Sequence, residues 1–466
     1  MAPERTRHET QGSITLVALC LTTALGIALG SYVALCTRST QLSTRQLQRE
    51  KARELAQVGL EEALWALNQN TWNSSGPDGT ATWTTAGANR SVTLAYPLDG
   101  SATGSVALTI ANYASTGPTW PTITSSATLT TAGGESASKT LQASTTPAPL
   151  FGNALASSDA YVSFAAGGTI DSWNSDPDND SSTPAIAYSF TAGNATNYDA
   201  VVAGRSNGSY GVVLTQATLR GYATTFGLPV SYSTSGSPPG KVLGPATAAG
   251  TNVDTTRLGK SAFVPIDNVF TVTTPTTSGG TPSLGGLLIA LLNALLGTLG
   301  VELFKAPTGW TVDNAVTITH PTKIVVTGDF TITTGGIPLL PTTGKITIQP
   351  GASLELYVSG DVTIGADAFD NQTNEPKNLA IFCTSTSTSD ALEYNSTKPF
   401  CGVIFCEHKP IDIRQNATFY GALLSRQYVR FSASATAPVF HYDLALRKAR
   451  FSAVNTPYLI AQLVEP

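Results

Sequence analysis

Residues 13–36 (SITLVALCLTTALGIALGSYVALC) carry no charge and are largely apolar, and the helical pattern does not stop where that run ends. A run of this length crosses the roughly 30 Å hydrocarbon core of a bilayer as an α-helix. Beyond it, through QLQREKARELAQVGLEEALWALNQ, Leu47, Leu55, Leu60, Ala63, Leu64 and Leu67 recur at helical spacing, with no Pro between the halves. The pattern predicts one continuous helix over residues 13–68, apolar in its first half and amphipathic in its second. Leu60, Leu64 and Leu67 are then expected to be buried against the segment that follows. A secretory signal is a poorer description, because its apolar core is about 7–15 residues long and is followed by a small-residue cleavage site.

The leader MAPERTRHETQG places Arg5 and Arg7 before the span, while Arg38, Arg45, Arg49 and Lys51 follow it, so basic flanks alone do not orient the helix. A short polar leader ending in Gly12, then Ser13-Ile14-Thr15-Leu16-Val17 opening a long apolar helix, resembles the type IV pilins and pseudopilins, in particular their minor members. The resemblance covers about the first 70 residues. It implies cleavage by a prepilin peptidase between Gly12 and Ser13, an inner-membrane anchor, other pilin-like subunits as partners, and an extracytoplasmic body at the cell surface or on a pilus. Two positions depart from the family pattern: Ser13 stands where Phe is usual, and Val17 where major pilins place a Glu that neutralises a neighbour's amino terminus.

With 466 residues the chain exceeds one ordinary core, so two or three domains are expected. Charged residues are only 12% of it, about half the usual share, so the surface must be built from Thr, Ser, Asn and Gly. That composition suits exposed β-structure with many turns. A net charge of −5 with scattered Lys and Arg gives no track for a phosphate backbone and argues against nucleic acid. The expected fold is mainly β with one long N-terminal α-helix, an antiparallel pilin-like head and then a right-handed parallel β-solenoid. The segments are a polar leader (1–12), the helix, transmembrane in its first half (13–70), the antiparallel head (71–149), a Gly/Ser/Asn-rich β region (150–280), an apolar helical insertion (281–310) and the solenoid (311–466).

The solenoid expectation rests on VVTGDFTIT and YVSGDVTIG, near copies about 32 residues apart, and on the short runs LAIFCT, GVIFCEH and FYGALLS. ASLELYVSGDVTIG, FYGALLS and the closing His441-Tyr442-Asp443 also resemble the β-solenoid domain found downstream of pilin-like helices in bacterial surface proteins, which implies architecture rather than activity. LAIFCT and GVIFCEH share Ile-Phe-Cys, so stacking in register would bring Cys383 and Cys406 into contact, or into a strained disulfide.

No double C-x-x-C spacing marks a zinc site, and no cofactor is expected. Asp176, Asp178 and Asp180 alternate as in half a calcium loop, but the sixth-position Gly and closing Glu are absent, so a solvated Asx-turn loop is favoured. Asp171-Ser172-Trp173 before it is expected to be a structural turn. Because solenoids also host carbohydrate-active enzymes, Asp361, Asp367, Asp370, Asp412 and Arg414 are the residues to weigh for acid–base work. Asp361 shares its Gly-Asp turn with Asp329, which gives it a structural role. His441 and Asp443 can share a strand face, whereas Tyr442 cannot, and no nucleophile elbow precedes them. The expectation is a structural, non-enzymatic surface protein taking part in pilus or secretion assembly or in adhesion. The alternative is a membrane-tethered solenoid that binds or cleaves a surface polysaccharide.

Overall fold

The computed structural model describes residues 9–466 except 74, 76–78, 99–101, 114–119, 165–166, 179, 181–182, 206–209, 226–230, 233–238, 260–270, 276–302, 307, 338–339, 366, 390, 433–436, 452–453 and 456. They fall into two compact units, Met1–Pro147 with Tyr458–Pro466, and Ala148–Pro457.

The first unit is built on α1 (Glu9–Gln69), a single helix with no break between its two halves. In the first half the large apolar side chains, Ile14, Leu25, Ile27 and Leu35 among them, are exposed, and the helix is long and apolar enough to cross a membrane. In the second half one face is covered: Leu55, Ala56, Leu60, Ala63 and Leu67 are buried and Leu64 is partly so. What covers that face is an antiparallel sheet of β1 (Thr84–Ala86), β2 (Asn89–Pro97), β3 (Thr103–Ala111), β4 (Thr122–Thr130) and β5 (Ser136–Pro147).

Strict alternation in β3 and β4 puts Val106, Leu108, Ile110, Ile123, Ala127 and Leu129 on the helix side. Two glycines set the helix–sheet distance. A Cβ on Gly59 would lie 2.5 Å from Val106 Cγ1 and 2.6 Å from Ser125 Oγ, and one on Gly104 would lie 2.6 Å from Leu55 Cδ2. Each glycine therefore leaves a notch that a side chain of the facing element fills.

The sheet's last strand comes from the far end of the chain. Tyr458–Val464 pairs antiparallel with β5, Tyr458 opposite Pro147, so residues 458–466 belong to the first unit and not, as expected, to the solenoid. Asn68, at the end of α1, clamps the returning strand: its amide donates to the Tyr458 carbonyl (3.1 Å) and accepts from the Tyr458 N–H (2.6 Å). Arg53 and Lys139 both pair with Glu465. Residues 148–457 are thus an insertion between two neighbouring strands of one sheet.

The second unit is a stack of parallel coils. One sheet runs through Leu303–Ala306, Pro321–Val326, Ser353–Val358, Leu379–Cys383, Phe400–Cys406, Thr418–Ser425 and Val439–Asp443, each parallel to the next. A second sheet stacks Trp310–Val312, Phe330–Ile332, Val362–Ile364, Leu392–Tyr394, Ile411–Ile413 and Val429–Phe431. The near copies separated by about 32 residues lie side by side, Val325 against Tyr357 and Phe330 against Val362. Apolar residues at alternate positions point into the stack, which is why each coil needs its neighbours to complete a core.

Residues 150–280 are not a separate module. Thr169–Trp173 extends the first sheet beyond Val439–Asp443, and Val162–Phe164 extends the second beyond Val429–Phe431. Asp171-Ser172-Trp173, expected as a turn, is this strand, and its burial among neighbouring strands overrides the local turn signal. The apolar run at 284–304 lies outside the described residues except Leu303 and Phe304. Those two open a strand rather than a helix, with Phe304 and Ala306 facing inward.

Replacing Gly59 with Val is expected to destabilise the first unit by about 1–3 kcal/mol, because the helix must be pushed off the sheet. Ser125 offers the contrast. Its hydroxyl is buried at this contact without a hydrogen-bond partner among the described residues, so Ser125→Ala is expected to be neutral or stabilising. Thermal or denaturant unfolding of the two variants checks both signs.

Candidate functional site

The strand Val439–Asp443 places His441 directly opposite Asp171 on the adjoining strand. Asp171 is buried, and its carboxylate meets His441 Nδ1 (2.5 Å), the Tyr188 hydroxyl (2.7 Å) and Arg220 Nη1 (3.1 Å). The Tyr188 ring lies flat on the imidazole, with centroids 3.5 Å apart. Burial, then the hydrogen bond to Asp171, hold the Tyr188 hydroxyl above its ordinary pKa, so it stays a donor. Asp443 does not join this group. It accepts from the backbone and hydroxyl of Ser175 and caps the short helix Leu444–Arg447, while Tyr442, on the other strand face, donates to the Phe151 carbonyl. Burial raises the Asp443 carboxyl above its usual range.

Tyr188 sits on an extended strap after the aspartate-rich loop and forms one wall of a cleft of about 460 Å³. Tyr420, opposite Cys401 and His441 in neighbouring strands, continues that wall. Trp173 packs edge-on behind both tyrosines, at 5.8 Å from Tyr188 and 5.7 Å from Tyr420. The other wall is polar: Asp367 pairs with Lys398 at 3.5 Å, Asp370 with Lys345 at 2.8 Å, and Asn371 and Asn374 lie between. The Lys345 hydrogen bond holds the Asp370 carboxyl below its usual range.

Of the five acid–base candidates, Asp367 and Asp370 come together in this cleft and the rest do not. Asp361 pairs with the buried Lys409, and its N–H donates to Asp329 one coil away (2.8 Å). Asp412 is buried between Arg414 (3.1 Å) and Arg430 (2.7 Å). A carboxylate held low by lysine, as Asp370 is, is ionised at neutral pH, so it accepts hydrogen bonds and has no proton to donate as a general acid.

Asp176, Asp178 and Asp180 form a loop closed on itself. The Asp180 N–H donates to Asp176 (3.1 Å) and Asp178 (3.3 Å), and the Thr183 hydroxyl also reaches Asp178. Among the described residues no three His, Cys, Asp or Glu side chains group as metal ligands. Cys383 and Cys406 are opposite one another on adjacent strands, both buried and both free thiols. Burial, with Cys383 alongside, pushes the Cys406 thiol well above its ordinary value. Cys401 lies on the cleft side, and burial pushes its thiol up to about 12, so it stays protonated at neutral pH. Gly12 and Ser13 both lie within α1.

Sequence reasoning missed Asp171, Tyr188, Arg220 and Tyr420. Asp171 and His441 are 270 residues apart, and only their placement on adjoining coils joins them.

A protein-family model described as a domain of unknown function (DUF7305) matches residues 309–449. The matched stretch supplies the polar wall and Tyr420, while Trp173 and Tyr188 lie outside it. No curated protein matches the chain. Among solved structures, the competence-associated pilin ComZ from Thermus thermophilus aligns over 90% of this chain and 97% of its own, at 11% identity and a TM-score of 0.20. At that score the likeness supports neither fold nor function, which stand on this chain's own geometry.

Exchanging Lys345 for Met is expected to move the Asp370 titration midpoint upward, toward the ordinary carboxylate value, in carboxyl-detected NMR. The depressed Asp370 contributes stability above its unfolded pKa and loses it as pH falls through its folded pKa. That acid-side contribution is therefore expected to shrink in the variant. An unchanged midpoint would contradict the assigned ion pair.

Proposed function

We propose that the chain is a non-enzymatic, pilin-like structural protein of the bacterial cell surface, a minor pilin or pseudopilin that takes part in pilus or secretion assembly or in adhesion. The observation that carries this reading is α1. One unbroken helix presents apolar side chains all round in its first half and packs a single face onto an antiparallel sheet in its second. A secreted globular protein has no use for the first half, and a plain tether has no use for the second.

In this reading residues 13–36 sit in the inner membrane beside the helices of other pilin-like subunits, and residues 1–12 are removed by a prepilin peptidase. Val17 supplies no carboxylate to neutralise a neighbour's amino terminus, which suits a low-abundance position better than the repeating shaft. The inserted unit would be a right-handed β-solenoid held outside the cytoplasm, in keeping with the strong preference of parallel crossovers for that hand. Support for a non-enzymatic role comes from the acidic candidates, each of which is paired with Lys or Arg.

Processing is the test. Co-expressed with a prepilin peptidase, the wild-type chain is expected to give a mature N-terminus at Ser13 by intact mass spectrometry, and the Gly12→Leu variant to keep residues 1–12. A wild-type chain that keeps residues 1–12, or a Gly12→Leu variant that matures to the wild-type mass, would contradict the reading.

A further inference from the structure

We infer that the cleft between Tyr188, Tyr420 and the Lys345–Asp370 and Lys398–Asp367 pairs binds a neutral saccharide. Its volume, about 460 Å³, lies in the range of small-molecule sites. The two walls differ in kind. Tyr188 and Tyr420 are half-buried side chains on the cleft wall, aromatic surface suited to the apolar C–H face of a pyranose. The facing wall offers ammonium donors, carboxylate acceptors and the Asn374 amide, which together match a ring of hydroxyls that both donate and accept.

The charge balance narrows the class. Two lysines and two aspartates line the cleft, so it has no net charge to attract an anion. A polyuronate would find no free cation there, because Lys345 is already paired with Asp370 and Lys398 with Asp367. A purely apolar ligand would strip water from four charged groups without replacing their hydrogen bonds. A neutral, hydroxyl-rich ligand avoids both penalties.

The aromatic wall is also fixed before any ligand arrives. Tyr188 is held at its hydroxyl by buried Asp171 and along its ring by His441, and Asp171 is held in turn by Arg220. This gives the buried network a role: it locks the strap's tyrosine in place, which removes an ordering cost from binding.

The inference does not rest on the anchor, and it is read separately from processing at Gly12. Saturation-transfer NMR on the full chain in detergent, with cellopentaose, chitopentaose, maltopentaose and mannopentaose as probes and oligogalacturonate as the polyanion, tests it. At least one neutral probe is expected to receive saturation, and oligogalacturonate none. Tyr420→Ala is expected to weaken that binding by about ten-fold or more. Because Tyr420→Ala also removes ring contacts, Ala187→Trp serves as the second variant. Ala187 is exposed on the cleft wall, so the bulky side chain fills the cleft without entering the core, and it is expected to abolish binding. Failure of all four neutral probes, preference for oligogalacturonate, or binding unchanged in Ala187→Trp would overturn the inference.

Discussion

The contact between the second half of α1 and the sheet β2–β5 is what the rest of the molecule depends on. A helix of 61 residues whose first half is apolar all round has no stable place in water. Its second half solves that problem locally, by laying Leu55, Leu60 and Leu67 onto the alternating inner face of β3 and β4. The fit is close because Gly59 and Gly104 carry no Cβ, and because Ala127 and Ser125 present small side chains to the helix. One helix therefore meets two environments: its second half lies on a protein sheet, and its first half is long and apolar enough to cross a membrane.

The large unit depends on that same sheet. The chain leaves it at Pro147 and re-enters at Tyr458, its partner across the β5 edge, and Asn68 of α1 fastens the return point through both its amide atoms. A domain joined through two neighbouring strands is held by two covalent links rather than one. Within the unit the coils from both ends of the insertion interleave into common sheets, so the early coils and the late ones complete one another's cores.

Much of this was legible in the sequence where periodicity was strong. The helix from 13 to 68 was readable because apolar residues keep helical spacing from the uncharged run into the charged one without a Pro. The stacking of LAIFCT on GVIFCEH was readable because Ile-Phe-Cys repeats, and the structure sets Ile381, Phe382 and Cys383 against Ile404, Phe405 and Cys406. What could not be read was long-range. The Tyr458–Val464 strand looks like one more coil, and nothing local says that it pairs some 310 residues back with β5. The cleft is assembled from a strap and from strands and turns far apart in sequence, and Asp171 reads locally as a turn residue because its partners His441 and Arg220 are distant. Coil lengths vary, so no fixed period announced that residues 150–280 belong to the same stack.

In the proposed reading α1 divides into an anchor and a spine that work independently. Carbonate extraction of membranes, comparing the full chain with a variant lacking residues 13–36, measures this most directly when combined with the melting temperature of the extracted variant. The full chain is expected to stay with the membrane, while the shortened chain is released and unfolds at the same temperature as the detergent-solubilised full chain. Release of the full chain by carbonate, or loss of the folding transition in the shortened chain, would contradict it.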